Sequence, residues 1–241
     1  MKRNGMEMDD EKIRYAVRQT EILRAPQQSL YTFGMTNINY YLVTQPVYSE
    51  LVGPDNIGAA ETVIREGRVV AEKPRIVTPY YLSRLEGFSL EARRYFEALM
   101  REHGRHIPGL FYTYKNEPKE LNIVSDSLLA VVAKLNAEID QRGDKLAAII
   151  KGEDELWDVS LLKFIFELTR RSLDDNISQL GSRGLLNMDA KGVPADARLR
   201  IEELFRQVAR GEREPRELKE ELDRWDLFDE YEDRFFTLFG K

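Results

Sequence analysis

The two histidines of the chain, His103 and His106, offer the widest choice of chemistry, because an imidazole can bind a metal or move a proton. They form the motif HGRH at the end of a helix predicted over residues 89–103. Gly104 is expected to end this helix between them, and no carboxylate lies at a spacing typical of zinc sites. We therefore predict two exposed histidines near a helix C-terminus and no metal centre at this motif.

Short acidic clusters are the second group of residues that could do chemistry, since neighbouring carboxylates can bind magnesium. The candidates are Asp9-Asp10, Glu153-Asp154-Glu155 and Asp174-Asp175. Each precedes or begins a predicted helix, where carboxylates complement the helix dipole and accept hydrogen bonds from free N–H groups. We predict that these clusters cap helices, and we predict neither a metal nor a cofactor.

Other signatures of catalysis are missing from the sequence. A nuclease motif would need an acidic residue and a lysine two positions apart on one strand, whereas Glu72 and Lys73 are adjacent and point to opposite faces. Glycine-rich phosphate loops and a GxSxG elbow are absent. The chain has no cysteine, which excludes a thiol nucleophile and a thiolate zinc site. These observations favour a protein that is not an enzyme.

Length and composition set the broad class of the protein. The chain has 241 residues, of which 42% are hydrophobic, enough to bury a core in one large domain or two small ones. Its formal net charge of −6 argues against nonspecific binding to duplex nucleic acid. The first residues, MKRNGMEMDDEK, contain no apolar segment, and no run of about 18 apolar residues occurs. We expect a soluble, acidic, cytoplasmic protein without a membrane span.

The first half of the chain mixes helical and strand-like patterns. An amphipathic helix is predicted over residues 9–24, and Pro26 ends it. Its apolar face consists of Ile13, Val17, Thr20 and Leu23. Runs of β-branched and aromatic residues predict antiparallel strands at residues 29–33, 38–45, 61–65, 68–72, 75–78, 110–114 and 121–124.

Turns and loops are predicted between these strands. Glu66-Gly67 is expected to form a two-residue hairpin turn, because glycine adopts positive φ without strain. The sequence NEP, residues 116–118, is expected to turn the chain between the last two strands, and residues 52–58 are expected to form a loop.

The second half of the chain is predicted to be helical. Ser125 is the expected N-cap of a helix that ends near Gly143. The apolar run at residues 146–151 fits a buried strand or a helical turn, and periodicity leaves both open. Further helices are predicted around an apolar stripe after Trp157, after a break at Gly181 and Gly184, and after Pro194 and Pro215. A last amphipathic helix covers residues 226–241.

These patterns predict an α+β fold. An antiparallel sheet with helices is expected in the N-terminal half, residues 1–124. An all-helical C-terminal half, residues 125–241, is expected to pack against this sheet. The two halves could also form one continuous domain.

The tyrosine-rich sheet is the candidate recognition surface. Tyrosine suits such a surface because its ring buries apolar area while its hydroxyl forms a hydrogen bond. Arginines on and beside the strands could hold an anionic group. The predicted binding residues are Tyr31, Tyr40, Tyr41, Arg65, Arg68, Arg75, Tyr80 and Tyr81. The alternative is that the tyrosines only decorate a half-exposed sheet and pair across strands.

The adjacent residues Tyr40 and Tyr41 must point to opposite faces of a strand. We expect one of them to line the recognition surface and the other to lie in the core.

The C-terminal helix, Asp226 to Lys241, presents a wide apolar stripe. Its members are Leu227, Phe228, Tyr231, Phe235, Leu238 and Phe239. A stripe of this width is more typical of a core than of a docking site. If its own domain left it uncovered, it would fit a groove on a protein partner or on a second copy of the chain.

The sequence therefore predicts a binding or assembly protein without catalytic machinery, which recognises its partner through the Tyr/Arg-rich sheet. A small anionic ligand or a single-stranded nucleic acid is a weaker possibility for the same surface. The alternative function is an enzyme without a sequence signature, in which Arg65, Arg68 and Arg75 hold an anionic substrate and a tyrosine or aspartate moves a proton.

Overall fold

A computed structural model describes residues 2–46, 61–84, 100–102, 104 and 106–238, with side chains from residue 11 onward. The helix prediction for residues 89–99, the loop prediction at residues 52–58, and His103 and Phe239 lie outside these ranges. The chain divides into two compact units, each built from two separate stretches. The first unit comprises Met1–Lys73 and Thr113–Asn176, and the second comprises Pro74–Tyr112 and Ile177–Lys241.

The described ranges contain seven strands. They are β1 (Glu21–Arg24), β2 (Thr36–Thr44), β3 (Thr62–Ala71), β4 (Arg75–Val77), β5 (Gly109–Phe111), β6 (Tyr114–Val124) and β7 (Ala147–Lys151). Five of them form one sheet in the first unit, in the order β1-β7-β2-β3-β6. Strands β4 and β5 pair with each other in the second unit.

The five-stranded sheet is mixed, because β7 pairs in parallel with β2 while the other neighbours are antiparallel. The α+β class is confirmed, but the prediction of a purely antiparallel sheet is wrong. The all-helical second half is wrong as well, since β7 belongs to that half and inserts between β1 and β2. The run of four buried residues from Ala147 to Ile150 fits this central position, because a strand in a sheet that is covered on both faces is apolar on both faces. The predicted boundary between residues 124 and 125 accordingly falls inside the first unit.

Strand β3 runs without interruption through Glu66-Gly67, where the sequence predicts a hairpin turn. Gly67 lies opposite Tyr40 on β2, and the phenol of Tyr40 covers it. A Cβ atom at Gly67 would stand 2.3 Å from the Tyr40 hydroxyl oxygen. The glycine is therefore needed for the close approach of a ring and not for a turn.

The predicted turn at residues 116–118 is also absent, since β6 is continuous from Tyr114 to Val124. Pro118 lies in this strand beside a shift of register, where Gly67 pairs with Pro118 and Glu66 pairs with Glu120. A proline is tolerated here because β6 is an edge strand and because the irregularity already interrupts the ladder.

The first helix, α1 (Lys2–Gln19), ends earlier than predicted. Residues 21–24 form β1, because pairing with β7 takes up backbone groups that a longer helix would have used itself. The predicted apolar face is not buried as a whole: Thr20 is buried, whereas Ile13, Val17 and Leu23 are exposed. The strand predicted at residues 29–33 does not form.

Two further helices begin in the first unit, and the second of them continues past its end at Asn176. Helix α3 (Leu128–Arg142) packs on the sheet face that carries Tyr41 and Val43. It ends at Gly143 as predicted, and this glycine has the left-handed conformation. Its N-cap is Ser127 and not Ser125. Helix α4 (Trp157–Ser182) is a single helix of 26 residues that runs through Gly181, so the break predicted there is wrong, and the left-handed residue is Gly184.

Four helices of the second unit contribute to one apolar core. They are α2 (Pro79–Ser83), α5 (Ala195–Ala209), α6 (Pro215–Trp225) and α7 (Phe228–Thr237). Pro215 occupies the first turn of α6 as predicted. Leu227 and Phe235 of the C-terminal stripe are buried in this core, and Phe228, Tyr231 and Leu238 pack against it. The core interpretation of the stripe is therefore confirmed for these five residues, while Phe236 is exposed.

Within the described part of the chain, no helix combines the length and the apolar character that a membrane span requires.

A polar cleft beside the sheet of the first unit

The eight predicted binding residues are divided between the two units. Five lie in the first unit: Tyr31, Tyr40, Tyr41, Arg65 and Arg68. The other three, Arg75, Tyr80 and Tyr81, belong to the second unit. Arg75 lies on β4, which pairs with β5 and not with the five-stranded sheet. Sequence patterns identify strands but not the sheet that each strand joins, so the sequence alone assigns these residues to one sheet.

Both adjacent tyrosines of β2 are buried, so the expectation that one of them is exposed is wrong. Tyr40 is 1% exposed, and its hydroxyl donates a hydrogen bond to Asn116 Oδ1 at 3.0 Å. Tyr41 is 7% exposed and packs with α3 on the opposite face. The sheet is covered on both sides at this point, and neither ring can stack on a ligand.

The two arginines of β3 already hold carboxylates. Arg65 donates from Nη1 to Asp154 Oδ1 at 2.7 Å and to the Thr44 hydroxyl at 3.1 Å, and its guanidinium lies over the ring of Trp157. Arg68 donates from Nε to Glu117 Oε2 at 2.9 Å. Their charges are neutralised within the first unit, so these arginines organise the chain.

The remaining predicted residues have separate surroundings. Tyr31 is 43% exposed, and its hydroxyl donates to Gln28 Oε1 at 3.0 Å. Tyr81 is buried, and its hydroxyl donates to Glu221 Oε2 at 2.9 Å. The guanidinium of Arg84 lies over the ring of Tyr80, with Arg84 Cζ 4.8 Å from the ring centroid. Arg75 is half-buried.

Two buried phenols and one half-buried phenol should make the protein sensitive to alkali. Burial raises the pKa of Tyr40, Tyr81 and Tyr114, so each keeps its proton in the folded chain above pH 10, where the unfolded chain releases it. The contribution of each phenol to the free energy of unfolding is thus fully present below pH 10 and is lost as the pH rises through the folded pKa. The loss is at most about 1.4 kcal/mol per pH unit for each phenol. We expect the free energy of urea unfolding to drop less between pH 9 and pH 11 in Tyr40→Phe than in the wild type. An equal drop would show that Tyr40 does not contribute.

A polar cleft of the first unit lies at the carboxyl ends of the parallel strands β2 and β7. It has a volume of about 820 Å³. Gln45 and Pro46 follow β2 along its wall, and residues 152–156 follow β7. The exposed side of α1 forms the opposite wall with Glu11, Lys12, Tyr15, Arg18 and Gln19. Ligand sites of α/β proteins commonly lie at this end of parallel strands, where the chain leaves the sheet for a helix.

Close contacts hold the walls of the cleft in place. A Cβ atom at Gly152 would stand 2.4 Å from Ser160 Oγ, so β7 meets α4 through a bare backbone. The Ser160 hydroxyl lies 2.7 Å from the hydroxyl of Thr20, at the C-terminal end of α1. Lys163 Nζ donates to the carbonyl oxygens of Thr20 and Val17 at 2.9 and 3.1 Å. A cation at these carbonyls also complements the C-terminal dipole of α1.

The acidic clusters behave differently from the prediction. Asp154 accepts hydrogen bonds from Arg65 and Thr44 and not from helix N–H groups. Asp175 lies inside α4 and accepts from Ser29, while Asp9 and Asp10 lie inside α1. Helices α1 and α4 begin several residues before the predicted starts, so Asp9, Asp10 and Asp175 lie inside helices and not at their N-terminal caps. Among the described residues, no group of three or more acidic or histidine side chains is placed to hold a metal ion.

The charges on the cleft walls are of both signs. Asp154 is neutralised by Arg65, and Lys151 pairs with Glu21 at 2.9 Å. Four further charged side chains on the walls form no ion pair within the described part of the chain: Glu11, Lys12, Arg18 and Glu155. Two positive and two negative groups are therefore available to a ligand, beside the apolar surface of Tyr15, Leu128 and Leu156.

Sequence reasoning missed this cleft because it depends on the parallel pairing of β2 with β7. One signal was present: a short apolar run, LAAIIK, is followed directly by the polar loop GEDE and by a helix. A buried strand that feeds a helix through a polar loop is typical of ligand sites in α/β proteins.

The fold and the cleft define an α+β protein with a mixed five-stranded sheet and a polar cleft at the carboxyl ends of its parallel strands. No family model, curated protein or solved structure matches this chain.

Proposed function

We propose that this chain is a binding protein, and that the cleft of the first unit receives a segment of a partner protein that carries charges of both signs. The observation that carries this proposal is a set of four charged side chains, Glu11, Lys12, Arg18 and Glu155, which form no ion pair with any described residue and line one cleft together with apolar side chains. A polypeptide segment offers such a mixture, because charged and apolar side chains alternate along it.

The exposed side of α1 supports a macromolecular partner. Ile13, Tyr15 and Val17 are each more than one third exposed, although they lie on an amphipathic helix. Only Ala16 and Thr20 of the side chains between residues 11 and 20 are buried. A partner segment in the cleft would contact Tyr15 and gain its apolar surface as well as its charges.

The alternative function is an enzyme in which arginines hold an anionic substrate, and two of these arginines are poorly placed to do so. Arg65 and Arg68 are paired with Asp154 and Glu117. A substrate anion would have to displace these carboxylates before it reached either guanidinium. Arg65 is better explained as a positioning residue, which fixes the β7–α4 loop through Asp154 and Trp157.

The proposal is tested with peptides selected from a random display library on the wild-type protein. We expect the double variant Lys12→Ala/Arg18→Ala to bind the selected peptides about tenfold more weakly by fluorescence anisotropy, which corresponds to roughly 1.4 kcal/mol. Glu155→Ala should weaken the same peptides. The matched control is Arg14→Ala, since Arg14 lies on α1 but not on the cleft wall, and it should change the affinity less than about twofold.

Two outcomes would reject the cleft as the binding site. One is the failure to select any peptide whose affinity depends on Lys12, Arg18 or Glu155. The other is an equal loss of affinity in the Arg14→Ala control, which would show that only the overall charge of α1 matters.

A further inference from the structure

Helix α4 presents a row of four exposed side chains to solvent. They follow one another at intervals of four residues: Asp158, Leu162, Phe166 and Arg170. Residues four apart are neighbours on the surface of a helix, so these side chains form one continuous ridge. We call this row the α4 ridge. All four residues belong to the first unit.

The middle of the α4 ridge is apolar. The Leu162 side is 65% exposed and Phe166 is 67% exposed, although both lie in the interior of a long helix. The opposite side of α4 already carries the buried residues Leu161, Phe164 and Leu168. The helix therefore packs in its own unit through that side. The two apolar residues of the ridge remain in water, where covering them would be favourable.

The two ends of the α4 ridge carry opposite charges. Asp158 accepts a hydrogen bond from the backbone N–H of Val159 at 2.9 Å, and it forms no ion pair with any described residue. Arg170 is exposed and likewise forms no ion pair with any described residue. The two charges are about 18 Å apart along the helix axis, too far to pair within one copy of the chain.

The order of side chains along the α4 ridge is self-complementary. It reads acid, apolar, apolar, base, and an antiparallel copy presents base, apolar, apolar, acid beside it. In the commonest class of helix packing, the ridges formed by residues four apart lie side by side. A two-fold axis would therefore place Asp158 of each copy beside Arg170 of the second copy, with Leu162 beside Phe166.

We propose that the α4 ridge is the interface of a homodimer, in which the α4 helices of two copies of this chain pack antiparallel. The two-fold symmetry forms each ion pair twice, and the four apolar side chains cover one another between them. No residue of the ridge lines the cleft of the first unit, so the dimer is independent of the partner segment proposed for that cleft. One pair of helices covers less than the roughly 800 Å² per partner of a standard interface, so we expect micromolar affinity.

The first test replaces an apolar residue of the ridge. Analytical ultracentrifugation of the full-length wild type should show a shift from monomer to dimer between about 5 and 200 μM. Leu162→Glu should raise the dissociation constant at least tenfold. The matched control is Leu129→Glu, the same substitution at a leucine of α3 that is 80% exposed, and it should change the constant less than about twofold. Thermal unfolding checks that both variants remain folded.

The second test exchanges the charges at the ends of the ridge. Asp158→Arg and Arg170→Asp should each weaken the dimer at least tenfold, because each gives both ends the same charge. The double variant Asp158→Arg/Arg170→Asp should dimerise like the wild type, since opposite charges again face each other. The two single substitutions change the net charge in opposite directions, so an effect of overall charge would not weaken both.

Contrary results overturn the proposal. A wild type that stays monomeric over the whole concentration range has no such dimer. A dimer that tolerates Leu162→Glu, or that Leu129→Glu weakens equally, uses a different surface. If the double variant is as weak as the single variants, the charged ends of the α4 ridge do not pair across a two-fold axis.

Discussion

Glu221→Ala is expected to destabilise the protein by about 3–5 kcal/mol, as the removal of one partner from a buried ion pair does. The Glu221 side chain is only 5% exposed and faces Arg200, which is 12% exposed, with 3.0 Å between Arg200 Nη2 and Glu221 Oε1. Glu221 also accepts hydrogen bonds from the hydroxyl of Tyr81 at 2.9 Å and from Nε1 of Trp225 at 3.1 Å. Its removal leaves three buried donors without this acceptor.

The measurement is urea unfolding of the full-length chain, followed by tryptophan fluorescence, because Trp225 contacts both Glu221 and Tyr81. Arg200 would retain Asp196 at 3.5 Å, a longer contact that compensates its charge less well.

The matched control for this prediction is Glu220→Ala, one position earlier on α6. The Glu220 side chain is 30% exposed and pairs with Arg216 at 2.8 Å and with Arg224 at 3.4 Å. Surface pairs of this kind contribute less than about 1 kcal/mol. If both variants lost the same stability, the buried network would be no more important than surface pairs of the same helix.

Tyr40→Ala and Tyr41→Ala are both expected to cost about 3–5 kcal/mol of unfolding free energy, because each removes a large buried ring and leaves a cavity. Tyr40 fills the space above Gly67 on one face of the sheet. Tyr41 belongs to the core beneath α3 on the other face, together with Val43 and Leu135. Loss of the Tyr40 hydroxyl also leaves Asn116 Oδ1 without its donor.

Urea unfolding of both variants measures this prediction, with Tyr31→Ala as the control. Tyr31 is a tyrosine of the same segment that is 43% exposed, so its removal should cost less than about 1 kcal/mol. A large loss for only one of Tyr40 and Tyr41 would show that one face of the sheet is open, and would restore the sheet as a candidate recognition surface.

Local signals in the sequence were sufficient for several elements. The β-branched and aromatic run after Ile38 forms β2, Gly143 ends α3 in the left-handed conformation, and Pro215 begins α6. The C-terminal stripe packs as a core because its apolar side is too wide to remain in water. Each of these outcomes depends on residues close together in the chain, or on burial that any compact fold must provide.

Tertiary structure alone decided the features that form the proposed binding cleft. Glu66-Gly67 has the composition of a turn, yet it continues β3 because the ring of Tyr40, on a neighbouring strand, covers the glycine. Residues 21–24 are helical by their local pattern, yet they form a strand because β7 offers an edge for pairing. The cleft exists because β7 pairs in parallel with β2, more than 100 residues apart in sequence. Such pairings depend on burial across the whole sheet, and no short window of sequence contains the residues that compete for them.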